Sequence, residues 1–255
     1  MITSNSNEKI KHIALLMSNA RARKTEKSFV VEGERMVREI PANRIKECYV
    51  SESFDKLSCI PSGVKYETVS DSVFKKMSDT KTPQGVMCVV SKEELTLSDF
   101  LKMNEGKPAK LLVLERVQDP GNIGTMIRTA EGAGFAGILA DNNTVDVYNP
   151  KVTRSTMGSL FRMPVIYTDN LIDALKVLKQ SEYELYAAHL KGDADYRKIT
   201  YSDRSAVLIG NEGNGLSDEV SGICDTLVKI PMEGKVESLN AAVAAALMMY
   251  EVTRS

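Results

Sequence analysis

Residues 111–140 read LLVLERVQDPGNIGTMIRTAEGAGFAGILA, and this stretch decides the fold. Leu111 to Leu114 is a short apolar run of strand length, Pro120 and Gly121 break the chain, Ile123 to Ala133 reads as a helix, and Gly137 to Ala140 is a second short apolar run. A strand, a crossover helix and another strand form a parallel unit. Downstream the alternation continues. A helix is expected over 150–160, a strand over 164–167, a helix over 171–179, strands over 184–188 and 206–209, a short helix over 217–223, a strand over 227–230 and a closing helix over 239–251. This order implies a mostly parallel sheet with helices on both faces.

Upstream, Ile10, Ile13, Ala14 and Met17 recur at helical spacing. A strand at 29–31, a turn at Gly33 and a helix over 34–40 stopped by Pro41 follow. Strands at 45–50, 64–69 and 86–90, with helices expected over 51–57 and 70–77, complete a smaller α/β domain. Residues 91–110 are polar and contain Gly106 and Pro108, so the expected organisation is a domain over 1–95, a linker over 96–109 and a larger domain over 110–255.

Composition narrows the function classes. With 43% hydrophobic and 26% charged residues the chain has the balance of a folded globular protein. Thirty-three Lys and Arg against 34 Asp and Glu give a net charge of −1, which removes global basicity and requires any nucleic-acid contact to be local. Lys9 to Lys46 supplies such a place, with ten basic residues against four acidic ones. The longest apolar run, Ala241 to Tyr250, covers ten residues, against the ~20 that span a bilayer. The polar N-terminus has no apolar signal core, so the cytoplasm is the expected compartment. Cys48, Cys59, Cys88 and Cys224 are scattered, and His12 and His189 lie far from them. No metal-ligand spacing results; the cysteines read as ordinary buried or half-buried thiols, and neither histidine is assigned a role.

Three segments at the C-terminal ends of expected strands, where open α/β sheets bind ligands, depart from ordinary core and surface. In the first, after Leu114, Asn122 can cap the following helix and Arg128 lies six residues on; a helix cap with a surface charge explains this segment as well as a site does. In the second, 207–216, an apolar strand ends in Gly210, Gly213 and Gly215 around Glu212. Glycines at this density bring backbone close to a flat ligand, which favours a site over a plain turn. In the third, 230–240, a strand enters a polar loop, and Ser238 or Asn240 opens an Ala-rich helix whose free N–H groups suit an oxygen-rich ligand. The dinucleotide fingerprint is incomplete at Gly121 and Gly124 and no phosphate loop occurs, which disfavours a nucleotide-dependent dehydrogenase or kinase. The residues themselves do not name the ligand.

At these residues the chain resembles the SpoU (TrmH-type) family of RNA ribose 2'-O-methyltransferases, of the SPOUT class. The resemblance is carried by Asn122-x-Gly124-x-x-x-Arg128-x-Ala130, by Gly210-x-Glu212-Gly213-x-Gly215-Leu216, and by Ile230-Pro231-Met232 through Ser238-Leu239-Asn240. Asn149-Pro150-Lys151-Val152-x-Arg154-Ser155 is similar to a further family segment, although Met157-Gly158-Ser159 departs from its usual Ala-Gly-Ala. Phe29-Val30-Val31-Glu32-Gly33 resembles the start of an L30e-type substrate-binding domain.

The resemblance implies an L30e-like α/β domain followed by a SPOUT α/β domain with a C-terminal trefoil knot, which no periodicity argument predicts, and a homodimer whose interface lies against the active site. It implies S-adenosylmethionine as cofactor, held around Gly210, Asn211, Gly213, Ile230, Met232 and Leu239, and no metal. It makes Asn122, Arg128, Glu212, Ser238 and Asn240 the expected catalytic set. Arg128 is either proton acceptor or phosphate clamp, and its high pKa favours the clamp. The expected RNA contacts are Arg21, Arg23, Lys24, Lys27, Arg35 and Arg154. The expected substrate is RNA, with 23S ribosomal RNA first and transfer RNA second; the competing reading is a non-catalytic RNA-binding dimer on the same fold.

Overall fold

The computed structural model describes residues 1–254. The chain divides into two compact units, one of residues 1–93 with 146–161 and the other of 94–145 with 162–254.

The first unit contains α1 (Glu8–Ser18), α2 (Ala20–Thr25), β1 (Ser28–Glu32), α3 (Glu34–Arg38), β2 (Ile45–Ser51), β3 (Glu67–Val69), α4 (Asp71–Met77) and β4 (Val86–Ser91). Its sheet runs β1-β4-β2-β3, antiparallel except for the parallel pair β2/β3. Ile10, Ile13 and Leu16, one stripe of α1, are buried with Val30, Tyr49, Met87 and Val89 of the sheet and Val73 and Phe74 of α4. The helix expected over 51–57 does not form; a turn and one 3-10 turn, Leu57–Cys59, stand there. The backbone donors are committed elsewhere, Ser51 N–H to the Gly85 carbonyl, Glu52 N–H to that of Val69, and Ser53 N–H to Asp71 Oδ1. Cys48, Cys59 and Cys88 are buried free thiols and Cys224, in the other unit, is half-buried.

The second unit opens with α5 (Leu97–Met103), inside the expected linker. Thr96 and Asp99 form a capping box, and Phe100 is fully buried in the core. Gly137 makes room for it, since a Cβ there would lie 2.9 Å from Phe100 Cε2. Then follow β5 (Ala109–Leu114), α6 (Pro120–Gly132) and β6 (Gly137–Asp141). Residues 146–161, with α7 (Pro150–Ser155), belong to the first unit, where Phe29 packs on Tyr148 (4.8 Å between ring centres) and on Phe161 (6.3 Å). The helix expected over 150–160 is therefore shorter, and Gly158 at φ +99° turns the chain into the 3-10 turn Ser159–Phe161.

The rest is β7 (Val165–Thr168), α8 (Leu171–Gln180), β8 (Glu184–Ala188), β9 (Ala194–Asp195), β10 (Arg204–Ile209), α9 (Asp218–Ile223), β11 (Thr226–Lys229) and α10 (Ala241–Arg254). These strands with β5 and β6 form a parallel sheet ordered β7-β6-β5-β10-β8-β11-β9. Leu111, Val113, Leu139, Leu185 and Leu208 are buried with Leu175 and Leu178 of α8, each such side chain contributing roughly 1.5–3 kcal/mol. α10 packs on α6 and β10 through buried Ala245, Met248 and Met249. The order β5-β10-β8-β11 sets four strand ends side by side, so the loops after them cluster although long stretches of sequence separate them.

Candidate active site

Three of those loops, after β10, β8 and β11, surround a cavity of about 370 Å³. Ile209 and Gly210 to Leu216 form one wall, Val228, Ile230, Met232 and Leu239 supply apolar surface, and Ser238 stands at the rim. Gly210, Asn211, Gly213, Ile230, Met232 and Leu239, the six expected cofactor contacts, all line it. At Gly210 a Cβ would lie 2.2 Å from the carbonyl carbon of Gly215 and from Leu216 N, so only glycine fits. The turn it permits is closed by Asn211 N–H to the Gly215 carbonyl (3.1 Å) and the reverse bond (2.9 Å). Asn211 Oδ1 also accepts the N–H groups of Gly213 and Asn214 at 3.0 and 3.1 Å. A cavity with apolar surface edged by fixed backbone groups has the chemistry to take a nucleoside.

The loops are tied to one another by side chains. Glu212 Oε1 accepts from Asp119 N–H (2.9 Å) and from Asn122 Nδ2 (3.0 Å), and Oε2 accepts from Gln118 N–H (3.1 Å). Asn122 Oδ1 in turn accepts from Asn240 Nδ2 at 2.9 Å, and Asn240 Oδ1 caps α10 through Ala242 N–H at 2.9 Å. The chain of amides has one polarity. Glu212 can only accept while ionised, so Asn122 must turn its NH₂ toward it and its carbonyl toward Asn240. Burial pushes the Glu212 carboxyl up, but the donors from Asn122, Asp119 and Gln118 outweigh it and hold the group below its ordinary range. The lock therefore stands above the usual carboxylate pKa and is lost as the pH falls through the depressed one.

Three of the five expected catalytic residues, Asn122, Glu212 and Asn240, are thus joined directly, and Ser238 lines the cavity that Glu212 also lines. Arg128 is not. It lies exposed on α6, outside the cavity lining, with no ion pair or hydrogen bond among the described residues. Sequence reading missed the third wall, Ala188 to Lys191 after β8, together with Asp218 and Lys229. His189, assigned no role, lines the cavity; its place after a parallel strand was the available signal.

Of the expected RNA contacts, Arg21, Lys24, Lys27 and Arg35 are exposed. Arg23 is a correction: it is 2% exposed, with Nε on Asp146 Oδ2 (2.7 Å) and Nη1 on the Leu16 carbonyl (2.7 Å). α2, which the charge pattern hid, turns this one cation of the basic run inward to hold α1 and residue 146. Arg154 is engaged by Asp79 through two bonds of 2.5 and 3.0 Å.

Comparison with known proteins agrees with this geometry. The sequence model of the SpoU rRNA Methylase family matches residues 109–250, and that of the MRM3-like substrate binding domain matches residues 7–88. The chain is similar to the 23S rRNA (guanosine(2553)-2'-O)-methyltransferase RlmP of Bacillus subtilis, at 34% identity over 98% of each chain. It is similar in structure to the AdoMet-bound rRNA methyltransferase from Sinorhizobium meliloti, with TM-score 0.87, 30% identity and coverage of 99% of this chain and 97% of that one. It also resembles the SpoU methyltransferase AviRb from Streptomyces viridochromogenes in complex with AdoMet, with TM-score 0.84, 26% identity and coverage of 97% and 98%.

Proposed function

From the premise that this chain belongs to the SpoU rRNA methylase family, and so is an S-adenosylmethionine-dependent RNA 2'-O-methyltransferase, we propose that its substrate is 23S ribosomal RNA. The observation that carries this reading is the similarity to RlmP along 98% of both chains, which spans the substrate-binding and the methylase matches alike. The test is to map 2'-O-methyl positions in total RNA from cells with and without the gene. One lost methyl group in 23S rRNA is the expected result; a loss confined to transfer RNA overturns the assignment.

In this reading Gly210, Asn211, Gly213, Ile230, Met232 and Leu239 hold the cofactor, which supplies an electrophilic methyl group on a sulfonium. The protein's work is to orient the ribose 2'-oxygen in line with that methyl and to assist loss of its proton. Asn122, Glu212 and Asn240 keep the three loops in register, and Ser238 at the rim hydrogen-bonds the ribose. Arg128 clamps a substrate phosphate through its planar fork.

The same reading includes the C-terminal trefoil knot and a homodimer. Support for the dimer is the face that α10 leaves open: Val243, Leu247 and Tyr250 are 48%, 36% and 56% exposed and line a groove with Thr125 of α6. Thr125 and Arg128, three residues apart, share one side of α6. A second copy covering this face would bring Arg128 to its partner's cavity.

Residues 1–95 are proposed to capture the RNA through Arg21, Lys24, Lys27 and Arg35, on a chain of net charge −1. Replacing Arg21 and Lys24 together with alanine is expected to weaken RNA binding and to lower the slope of log affinity against log salt by about 1.5, at roughly 0.7–0.9 per phosphate contact. Filter binding at several salt concentrations reads it, and an unchanged slope places the RNA elsewhere.

A further inference from the structure

Arg116 occupies a conformation that a long side chain rarely takes. At the carboxyl end of β5 its φ is +54°, in the left-handed region that favours glycine. Both backbone groups are bound, one from the end of β6 and one from the loop after β10. Its N–H donates to Asp141 Oδ1 at 2.9 Å, and its carbonyl accepts from Asn211 Nδ2 at 2.8 Å. The second bond links it to the cavity wall, since Asn211 organises the Gly213 and Asn214 amides. The guanidinium is half satisfied. Nη2 meets Glu115 Oε1 at 3.2 Å, while Nε is buried with no partner. Glu115 is itself buried, and its other oxygen accepts Ser217 N–H at 2.8 Å, so it aims the guanidinium from a fixed base. The Arg116 side chain nevertheless remains 42% exposed.

A strained backbone, a clamped orientation and an exposed guanidinium end with donors to spare are what a preformed oxyanion grip requires. We propose that Arg116 binds a backbone phosphate of the RNA beside the target nucleotide, as a positioning residue distinct from Arg128. The contact sets the register of the strand over the cavity and carries no base specificity. This inference rests on the RNA substrate proposed above.

The test uses Arg116→Gly and Arg116→Asn, both of which suit the left-handed backbone and so spare the fold. With an in vitro transcript of 23S rRNA as probe, both variants are expected to raise KM about tenfold, with the loss falling on KM rather than kcat. They are also expected to lower the salt slope of RNA binding by about 0.7–0.9, while the dissociation constant for S-adenosylmethionine stays within twofold. An unaltered KM and salt slope overturn the proposal. So does a loss of cofactor affinity matching the loss of activity, which would mean that Arg116 merely supports Asn211. If the unaltered enzyme fails on the 23S transcript, the same measurements with a transfer-RNA transcript judge Arg116 separately from the choice of substrate; no binding to either RNA overturns both.

Discussion

Gly210→Ala is expected to remove S-adenosylmethionine binding, raising its dissociation constant at least about 100-fold, while residues 1–93 keep their fold. The added methyl would stand 2.2 Å from Gly215 carbonyl carbon and Leu216 N and 2.4 Å from Gly215 O. These are backbone atoms that no rotamer change can move. Relief requires opening the two-bond turn between Asn211 and Gly215, and with it the placement of Glu212 against Asn122. Overpacking of this kind costs typically 1–3 kcal/mol even where the surroundings yield, and here the surroundings are the cavity wall itself. Calorimetric titration with the cofactor, alongside thermal unfolding, reads the result; binding within threefold of the unaltered protein would mean that the turn has room the geometry denies it.

Arg128→Ala separates chemistry from binding. Because Arg128 is exposed, unpaired among the described residues and outside the cavity lining, its loss leaves the fold and cofactor affinity intact. Methyl transfer to RNA is expected to fall at least ~10²-fold, the scale of losing a clamp that holds the reacting oxygen in line. Near-normal single-turnover rates would remove Arg128 from the reaction. Mixing the variant with Asn240→Asp adds a second readout. Asp in place of Asn240 cannot donate to Asn122, so each variant is impaired for a different reason. If the partner's cavity receives Arg128, mixed dimers contain one intact site and recover up to about half the activity per dimer; no recovery means that each chain uses its own Arg128.

Much of the site was legible because its motifs follow strands. Gly210 to Gly215 and Ile230 to Asn240 stand out as polar or glycine-rich runs after apolar ones, and neighbouring parallel strands bring such runs together. What bound them was not legible. The Glu212–Asn122–Asn240 relay spans 118 residues between its last two members, and spacing carries no trace of it. Arg116 gives no sequence signal either, since its meaning lies in a backbone angle. Arg23 and Lys24 look alike in a charge count, yet the one-residue difference in phase on α2 buries the first and exposes the second. The Thr96/Asp99 capping box was present in the letters, but polar composition around it made α5 read as a linker. Residues 150–160 read as a local helix, with nothing to show that the segment around them packs on Phe29 and Arg23.

That excursion has a consequence for how the protein is made. During synthesis the first 93 residues leave the ribosome well before the piece that completes their packing. Until Asp146 emerges, the Arg23 guanidinium has no carboxylate to meet, and until Tyr148 and Phe161 follow, the ring of Phe29 has no cover from them. N-terminal domains ordinarily mature first on the growing chain. Here residues 1–93 lack part of their packing until residue 161 has been translated, so their maturation is timed by the length of chain behind them.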